Sequence, residues 1–343
     1  MKELSEILKA CRRGDASSAV LATIVKTEGS SYRRVGAHML IFANGDVVGS
    51  ISGGCLEQDV IANARNVRAT GKSILLAYDT TAEEDVLFGV GLGCKGLIEI
   101  WLEPLSSARE MLDHCEKLLA QGEAGVVATT FRGERAGERT FIEKPHDLGR
   151  SCTKTDETGH ESFYELIHPP IRLFIFGAGY DAIPLARFAK QIGYDVTVCD
   201  RRPAYATRER FPEADEIFVK PAASVPDLGA TKRAAAVIMS HHYVSDRDCL
   251  KALLPLPLSY LGLMGPRRRA EKMLEEIRAE GLLVGDELLC KLHNPIGLDI
   301  GAEGPNEIAL AILAEINAVF AGHGGGLLRE KKGPIHSPRT ELH

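Results

Sequence analysis

The order of apolar and polar positions in the first 135 residues predicts a mixed α/β domain. Charged residues recur in each turn of residues 1–8, which is typical of an amphipathic helix. Asn44-Gly45 separates two short apolar runs and predicts a hairpin. We expect one mixed sheet that ends near residue 135, with a helix at about 55–69 and strands at 19–26, 37–42, 46–50, 73–78, 97–102 and 125–131.

The rest of the chain predicts a connection, a second domain and a tail. Residues 136–170 are polar and rich in turn formers, so they are predicted to link two domains, although 141–143 and 163–167 could add short strands. Residues 171–322 alternate strand and helix, which predicts a Rossmann-like, doubly wound parallel sheet that ends in a helix at 305–320. Residues 323–343 are rich in glycine, lysine and proline and predict a disordered tail.

Composition narrows the possible functions of this α/β protein. The 343 residues are 45% hydrophobic and 26% charged, as in ordinary globular proteins. The net charge of −6, without a long basic stripe, argues against a nucleic-acid partner. The charged start lacks the apolar segment of a signal peptide, and no run approaches the roughly 20 apolar residues that span a membrane. We therefore expect a cytoplasmic protein whose eight cysteines, which include no C-x-x-C pair, are reduced thiols.

The second domain carries a pattern typical of nucleotide binding. The segment Gly177–Ala182 follows an apolar strand and opens a helix, and an acidic residue ends the next strand about 20 residues later. A Rossmann scaffold that binds no nucleotide is an open alternative. His241 and His242 end another predicted parallel strand and are expected at the same crevice, as ligand contacts, proton carriers or metal ligands. The expected binding residues are Gly177, Gly179, Asp200, His241, His242 and Arg267 at a helix start.

The first domain contains two cysteines in glycine-rich segments. Cys55 stands at the predicted start of a helix, where the helix dipole favours the thiolate. Cys94 is followed by Lys95, whose charge has the same effect. Thiolates attack sulfur or bind soft metals, so both cysteines are candidate reactive residues and Cys55 is a candidate contact for a soft metal or for sulfur. Small residues at tight turns are the alternative. The binding candidates nearby are Ser30, Arg33, Arg34, Gly53, Gly54 and Glu57.

Together these motifs resemble the xanthine dehydrogenase accessory factor family, also called the XdhC/CoxI family. The chain departs from the family pattern at Ser52 and Lys95, where glycines are usual. The residues that carry the resemblance are 27–34, Gly36, 49–57, 93–96, 173–179, 196–202, 241–246, 260–269 and 295–315.

The resemblance implies a chaperone more than a turnover enzyme. Such a protein binds molybdenum cofactor (molybdopterin), protects it while a cysteine desulfurase supplies the sulfido ligand, and passes it to a xanthine dehydrogenase-type molybdenum hydroxylase. A homodimer would shelter this cargo.

Two other functions remain open at this stage. An NAD(P)-dependent oxidoreductase would use Gly177–Ala182 and Asp200 for the nucleotide, with His241 or His242 as the acid or base. That function leaves the glycine and cysteine segments of the first domain without a role. A nucleotide-sensing or assembly module with structural cysteines is the other alternative.

Overall fold

The protein divides into two compact units, Met1–Pro169 and Pro170–His343. Both combine helices and strands, which confirms the predicted α/β class. Among the described residues, no helix combines the length and the apolar composition needed to cross a bilayer. The computed structural model describes residues 2–13, 16–29, 32–79, 96–143, 149–221, 229 and 231–332.

In its described residues, the first unit contains three α-helices, a short 3-10 helix (Ala16–Ser18) and two antiparallel sheets. The helices are α1 (Lys2–Ala10), α2 (Glu57–Thr70) and α3 (Leu105–Gln121). The strands are β1 (Val20–Gly29), β2 (His38–Ile41), β3 (Val47–Gly49), β4 (Ile74–Asp79), β5 (Gly96–Pro104), β6 (Gly125–Arg132), β7 (Arg139–Glu143), β8 (Cys152–Thr155) and β9 (Glu161–Ile167). One sheet has the order β3-β2-β1-β5-β4 and the other β7-β6-β9-β8.

This arrangement confirms the hairpin at Asn44-Gly45 and differs from two expectations. The expected mixed sheet is wrong, because all pairings are antiparallel and β6 belongs to the second sheet. The predicted connection at 136–170 instead supplies β7, β8 and β9. Side chains of β9 are alternately buried and half-buried, the pattern of a strand with one covered face. That face packs against the other sheet, where Phe163 lies in one cluster with Val25 and Trp101, so the polar character of the segment does not make it a linker.

Buried ion pairs join the two sheets of the first unit. Four glutamates on β5 and β9 are buried, and each pairs with a cation on the opposite sheet. Removing one partner of a buried pair leaves an uncompensated charge, so these contacts favour a single packing of sheet on sheet. The pairs are Lys26–Glu161 at 2.8 Å, Arg132–Glu99 at 2.6 Å, His38–Glu165 at 2.6 Å and Arg139–Glu103.

The stability of the first unit is expected to depend on protonation of His38. Burial lowers the pKa of its imidazole, but the charge and hydrogen bond of Glu165 outweigh burial, and the pKa lies above its ordinary value. A histidine whose pKa is raised in the folded state stabilises that state in full when the pH is below the ordinary histidine pKa of about 6.5. This stabilisation is lost as the pH rises through the raised pKa. The free energy of unfolding should therefore fall over that window.

Chemical denaturation across about pH 6 to 9 measures this contribution. Glu165→Gln removes the charge that raises the pKa, so the fall should shrink in that variant. His160→Gln, on the turn between β8 and β9, should keep it. The same pH dependence in Glu165→Gln as in the wild type would contradict the assignment.

The second unit is built on one parallel sheet of six strands. The strands are β10 (Arg172–Phe176), β11 (Asp195–Asp200), β12 (Glu216–Val219), β13 (Ala234–Ile238), β14 (Tyr260–Leu263) and β15 (Leu292–His293). The helices are α4 (Ala182–Gln191), α5 (Tyr243–Leu253), α6 (Arg267–Ala279), α7 (Asp286–Leu289) and α8 (Pro305–Ala321). The order β12-β11-β10-β13-β14-β15, with parallel pairings throughout, confirms the predicted Rossmann-like sheet.

The strand order also locates the crevice in which such sheets bind ligands. The chain builds outward from β10 to β12 on one side and then continues with β13 on the other side of β10. Ligands bind at this reversal, outside the carboxyl ends of the strands. In the predicted tail at 323–343, Leu328–Glu330 forms a short 3-10 helix, and residues 333–343 lie outside the described part of the chain.

Candidate functional site

The second unit has a cavity of about 370 Å³ at the reversal of strand order. Its walls come from the carboxyl ends of β10, β11 and β13 and from the start of α5. Gly179 and Arg267 are not part of the lining. Four residues predicted from the sequence line this cavity: Gly177, Asp200, His241 and His242.

Both carboxylate oxygens of Asp200 are engaged within the protein. Oδ2 accepts from the Ala178 amide at 2.7 Å and from Nη2 of Arg202 at 2.7 Å. Oδ1 accepts from the amide and Nε of Arg202, each at 2.9 Å. Burial raises the pKa of Asp200, but these hydrogen bonds outweigh burial and leave the pKa below its ordinary value. The carboxylate stays ionised and ties the glycine-rich loop to the segment after β11.

The two glycines of the fingerprint have different surroundings. Gly177 has φ +116°, and a Cβ there would lie 2.6 Å from backbone atoms of Met239 and Ser240. Only glycine allows this approach of the loop to the end of β13. A Cβ on Gly179 would have no atom within 4 Å, and its φ lies outside the left-handed range. Gly177 is therefore required by the fold, whereas Gly179 is not.

The two histidines are held in different ways at the start of α5. His241 has φ +60°, a conformation that non-glycine residues adopt at a cost and often at functional sites. Its Nε2 lies 3.1 Å from Oδ2 of Asp181. His242 caps α5, with Nδ1 accepting from the Ser245 amide at 3.3 Å. Both side chains are exposed at the cavity.

The buried carboxylate of Asp246 fixes the turn that precedes α5 by hydrogen bonds. Asp246 accepts from the hydroxyl of Ser240 at 2.5 Å and from Nη2 of Arg269 at 2.6 Å. Arg267, which the sequence favoured, is exposed on the first turn of α6 and makes no side-chain ion pair with the described residues. No sequence signal shows that Arg269, and not Arg267, pairs with the buried carboxylate. Arg202 was also missed, although its position two residues after Asp200 was visible.

The first unit presents Cys55 on a loop at residues 51–56. The thiol is exposed, and α2 begins two residues later, at Glu57, so Cys55 precedes the helix instead of starting it. The Ser52 hydroxyl accepts from the amides of Gly54 and Leu56, each at 3.1 Å, and donates to the carboxylate of Glu57. The Ser52 amide also donates to Glu57 at 2.8 Å. Ser52, which departs from the family glycine, thus organises the loop.

The Glu57 carboxylate acts as a clamp for this loop. Burial raises its pKa, but the hydrogen bonds from Ser52 and from backbone amides outweigh burial, so the pKa lies below its ordinary value. Gly54 has φ +111°, which favours glycine there. The Cβ position of Gly53 lies 3.7 Å from the ring of Tyr32. The ring of Tyr32 therefore lies beside Gly53, so the two predicted binding segments of the first unit are adjacent.

The charged residues of the predicted phosphate loop are only partly available. Arg33 forms an ion pair with Glu3 of α1, which also accepts from the amides of His38 at 3.2 Å and Ser50 at 3.3 Å. Arg34 is exposed. Two predicted site residues, Ser30 and Cys94, lie outside the described residues. Within the described part of the chain, no group of three or more His, Cys, Asp or Glu side chains is arranged to hold a metal ion.

Comparisons with known proteins cover both units. Residues 173–316 match the XdhC Rossmann domain, and residues 13–79 match the XdhC and CoxI family. The chain is 34% identical over 318 residues to a probable xanthine dehydrogenase subunit from Bacillus subtilis (strain 168), covering 88% of this chain and 93% of that protein. It is 24% identical over 302 residues to the molybdenum cofactor insertion chaperone PaoD of Escherichia coli (strain K12), covering 88% and 83%. A crystal structure of a xanthine dehydrogenase from Bacillus halodurans superposes with a TM-score of 0.80 at 32% identity, covering 94% and 96%.

Proposed function

Because the chain belongs to the XdhC and CoxI family, we propose that it is an accessory factor that binds molybdenum cofactor and delivers it to a xanthine dehydrogenase-type molybdenum hydroxylase. The cofactor is the cargo of this protein. Support comes from the names of two relatives, a molybdenum cofactor insertion chaperone and a probable xanthine dehydrogenase subunit.

The observation that carries the proposal is the exposed thiol of Cys55 on its clamped loop. A thiolate is a soft ligand, suited to molybdenum or to a sulfur attached to it. Gly53 and Gly54 have no side chains that would keep the cargo from the backbone beside this thiol. Glu57 acts as a positioning residue, because its carboxylate is occupied by Ser52. Cys94 is proposed as a second reactive thiol.

The proposal includes two further steps and a location. A cysteine desulfurase would supply the sulfido ligand while the cargo is held, and a homodimer would shelter it. We place these steps in the cytoplasm, where thiols stay reduced. In support, the seven cysteines among the described residues are all free.

The oxidoreductase alternative has less support from the geometry. A dinucleotide enzyme uses the acidic residue after its second strand to accept from a ribose hydroxyl. Here the oxygens of Asp200 already accept from Ala178 and Arg202. Hydride transfer from NAD(P) is therefore not part of the proposal.

Purification from cells that make molybdenum cofactor tests the proposal. We expect pterin to co-purify, seen by absorbance, by fluorescence after oxidation and by mass spectrometry. Protein from cells that cannot make the cofactor is the control and should carry no pterin. If no pterin co-purifies, reconstituted protein retains none, and a nicotinamide nucleotide binds tightly, the proposed function is wrong.

A further inference from the structure

Charged side chains of both signs line the cavity of the second unit, three aspartates and two arginines. Each aspartate is paired with an arginine, although two of these arginines lie outside the lining and Arg247 also pairs with two glutamates of α6 and its end. Arg201 also lines the cavity and is exposed, and its side chain has no ion-pair or hydrogen-bond partner among the described residues. An anionic ligand would neutralise this charge. The three internal pairs are Asp200–Arg202 at 2.7 Å, Asp246–Arg269 at 2.6 Å and Asp248–Arg247 at 2.8 Å.

The glycine-rich loop, in contrast, already has carboxylates where a dinucleotide would place its phosphates. The Ala178 amide donates to Asp200 at 2.7 Å, so it is not free for a ligand. Asp181 stands at the N-terminal cap of α4, the end of the helix that would otherwise favour an anion. A pyrophosphate there would meet two negative charges.

Two side chains that line the cavity can donate hydrogen bonds to an anion. One is His242, whose Nδ1 accepts from the Ser245 amide. In the neutral ring the proton is then on Nε2, which remains as a donor. Arg201 supplies the bidentate guanidinium that suits phosphate oxygens. These groups belong to the segment after β11 and to the turn before α5, on either side of the crevice.

Part of the remaining lining is apolar, beside the hydroxyls of Ser240 and Ser245. Phe176, Cys199 and Cys249 contribute buried side chains. Burial raises the pKa of Cys199 to about 11, so this thiol is neutral and acts as a small apolar residue. A volume of about 370 Å³ is near the lower end of small-molecule sites, roughly 300 to 1,000 Å³. The cavity thus suits a ligand with one anionic end and one apolar part, smaller than a dinucleotide.

We propose that this cavity binds a phosphomonoester of nucleotide size, with its phosphate at Arg201 and His242 and not at the glycine-rich loop. Two sources share this chemistry: a nucleoside monophosphate, and the phosphate-bearing pterin of the cargo. For the pterin source, the inference rests on the proposed function.

Titration calorimetry on the full chain, purified free of cofactor, tests the site. The probes are AMP, CMP, inorganic phosphate, NAD⁺ and an oxidised, metal-free pterin phosphate. The dephosphorylated form of that pterin is the control for the phosphate group. We expect a monophosphate to bind more tightly than inorganic phosphate or NAD⁺. Arg201→Ala should weaken that binding roughly tenfold or more, because a charge-assisted hydrogen bond is lost. Arg278→Ala removes an exposed arginine at the end of α6, outside the cavity, and should leave binding unchanged.

The outcomes separate the two sources and the two proposals. Tighter binding of AMP or CMP than of the pterin phosphate indicates a nucleotide, and the reverse indicates the cargo. Equal losses in Arg201→Ala and Arg278→Ala, equal binding of the dephosphorylated pterin, tighter binding of NAD⁺, or no binding of any monophosphate would overturn the site. Pterin that co-purifies with a chain whose cavity binds no phosphomonoester leaves the proposed function standing. Monophosphate binding without co-purified pterin supports the site and argues against the proposed function.

Discussion

Replacing Cys55 by alanine is expected to reduce cofactor retention and transfer by at least about tenfold. Loss of a residue that only supports a metal ligand already lowers metal affinity or activity by roughly 10- to 100-fold, so loss of a direct contact should cost at least the lower value. The thiol is exposed on a loop whose shape depends on Ser52 and Glu57, so the substitution removes the soft ligand and leaves the loop in place. The measurement is the pterin content of protein isolated from cofactor-producing cells, together with activation of a client hydroxylase.

Two other cysteines provide matched controls. Cys290 is also exposed, in the second unit, and Cys152 is half-buried on β8. Alanine at either position should leave pterin content near the wild-type value. Thermal unfolding of the three variants should be similar to that of the wild type, since none of the three side chains belongs to the buried core. Equal losses of pterin in all three variants would argue against a specific role of Cys55.

Gly177→Ala is expected to lower the free energy of unfolding of the second unit by about 2 to 5 kcal/mol, since left-handed strain and overpacking add. The backbone has φ +116°, and the new methyl group would lie 2.6 Å from the carbonyl of Met239 and the amide of Ser240. These are backbone atoms of the segment after β13, which cannot move aside as a flexible side chain would. The loss is measured by chemical denaturation.

Gly179→Ala, in the same loop, is the control. Its Cβ would enter open space at an ordinary φ, so the free energy of unfolding should change by less than about 0.5 kcal/mol. Similar destabilisation in both variants would show that the loop is sensitive to any side chain, and the close approach at Gly177 would then not be the cause.

The local pattern of apolar and polar residues predicts those helices and strands in which buried positions recur at regular spacing. The strands β2, β4 and β6 lie within one residue of their predicted bounds, because their apolar runs are short and bounded by polar turns. Helix α3 was overlooked although its signal is present. Leu105, Ala108, Met111, Leu112 and Cys115 are spaced by three or four residues and form its buried face.

Long-range pairing could not be predicted in the same way. The alternation of β9 indicates a strand, but nothing local shows that its partner is β6 or that its glutamates pair with Lys26 and His38 on the other sheet. The two ion pairs join residues more than 100 positions apart in the chain. A buried glutamate and an exposed one look identical in a sequence.

The sequence by itself determined the two-unit α/β organisation, the parallel sheet of the second unit and the residue types at both sites, because periodic burial and turn chemistry are local properties. Only the tertiary structure decided which of those residues are available. It shows that Asp200, Glu57 and Arg33 are already bound within the protein. It also shows that Arg201 lacks such a partner among the described residues, whereas Cys55 is exposed. The reason is geometric, since a charge is cancelled only by a partner that folding brings within a few ångströms.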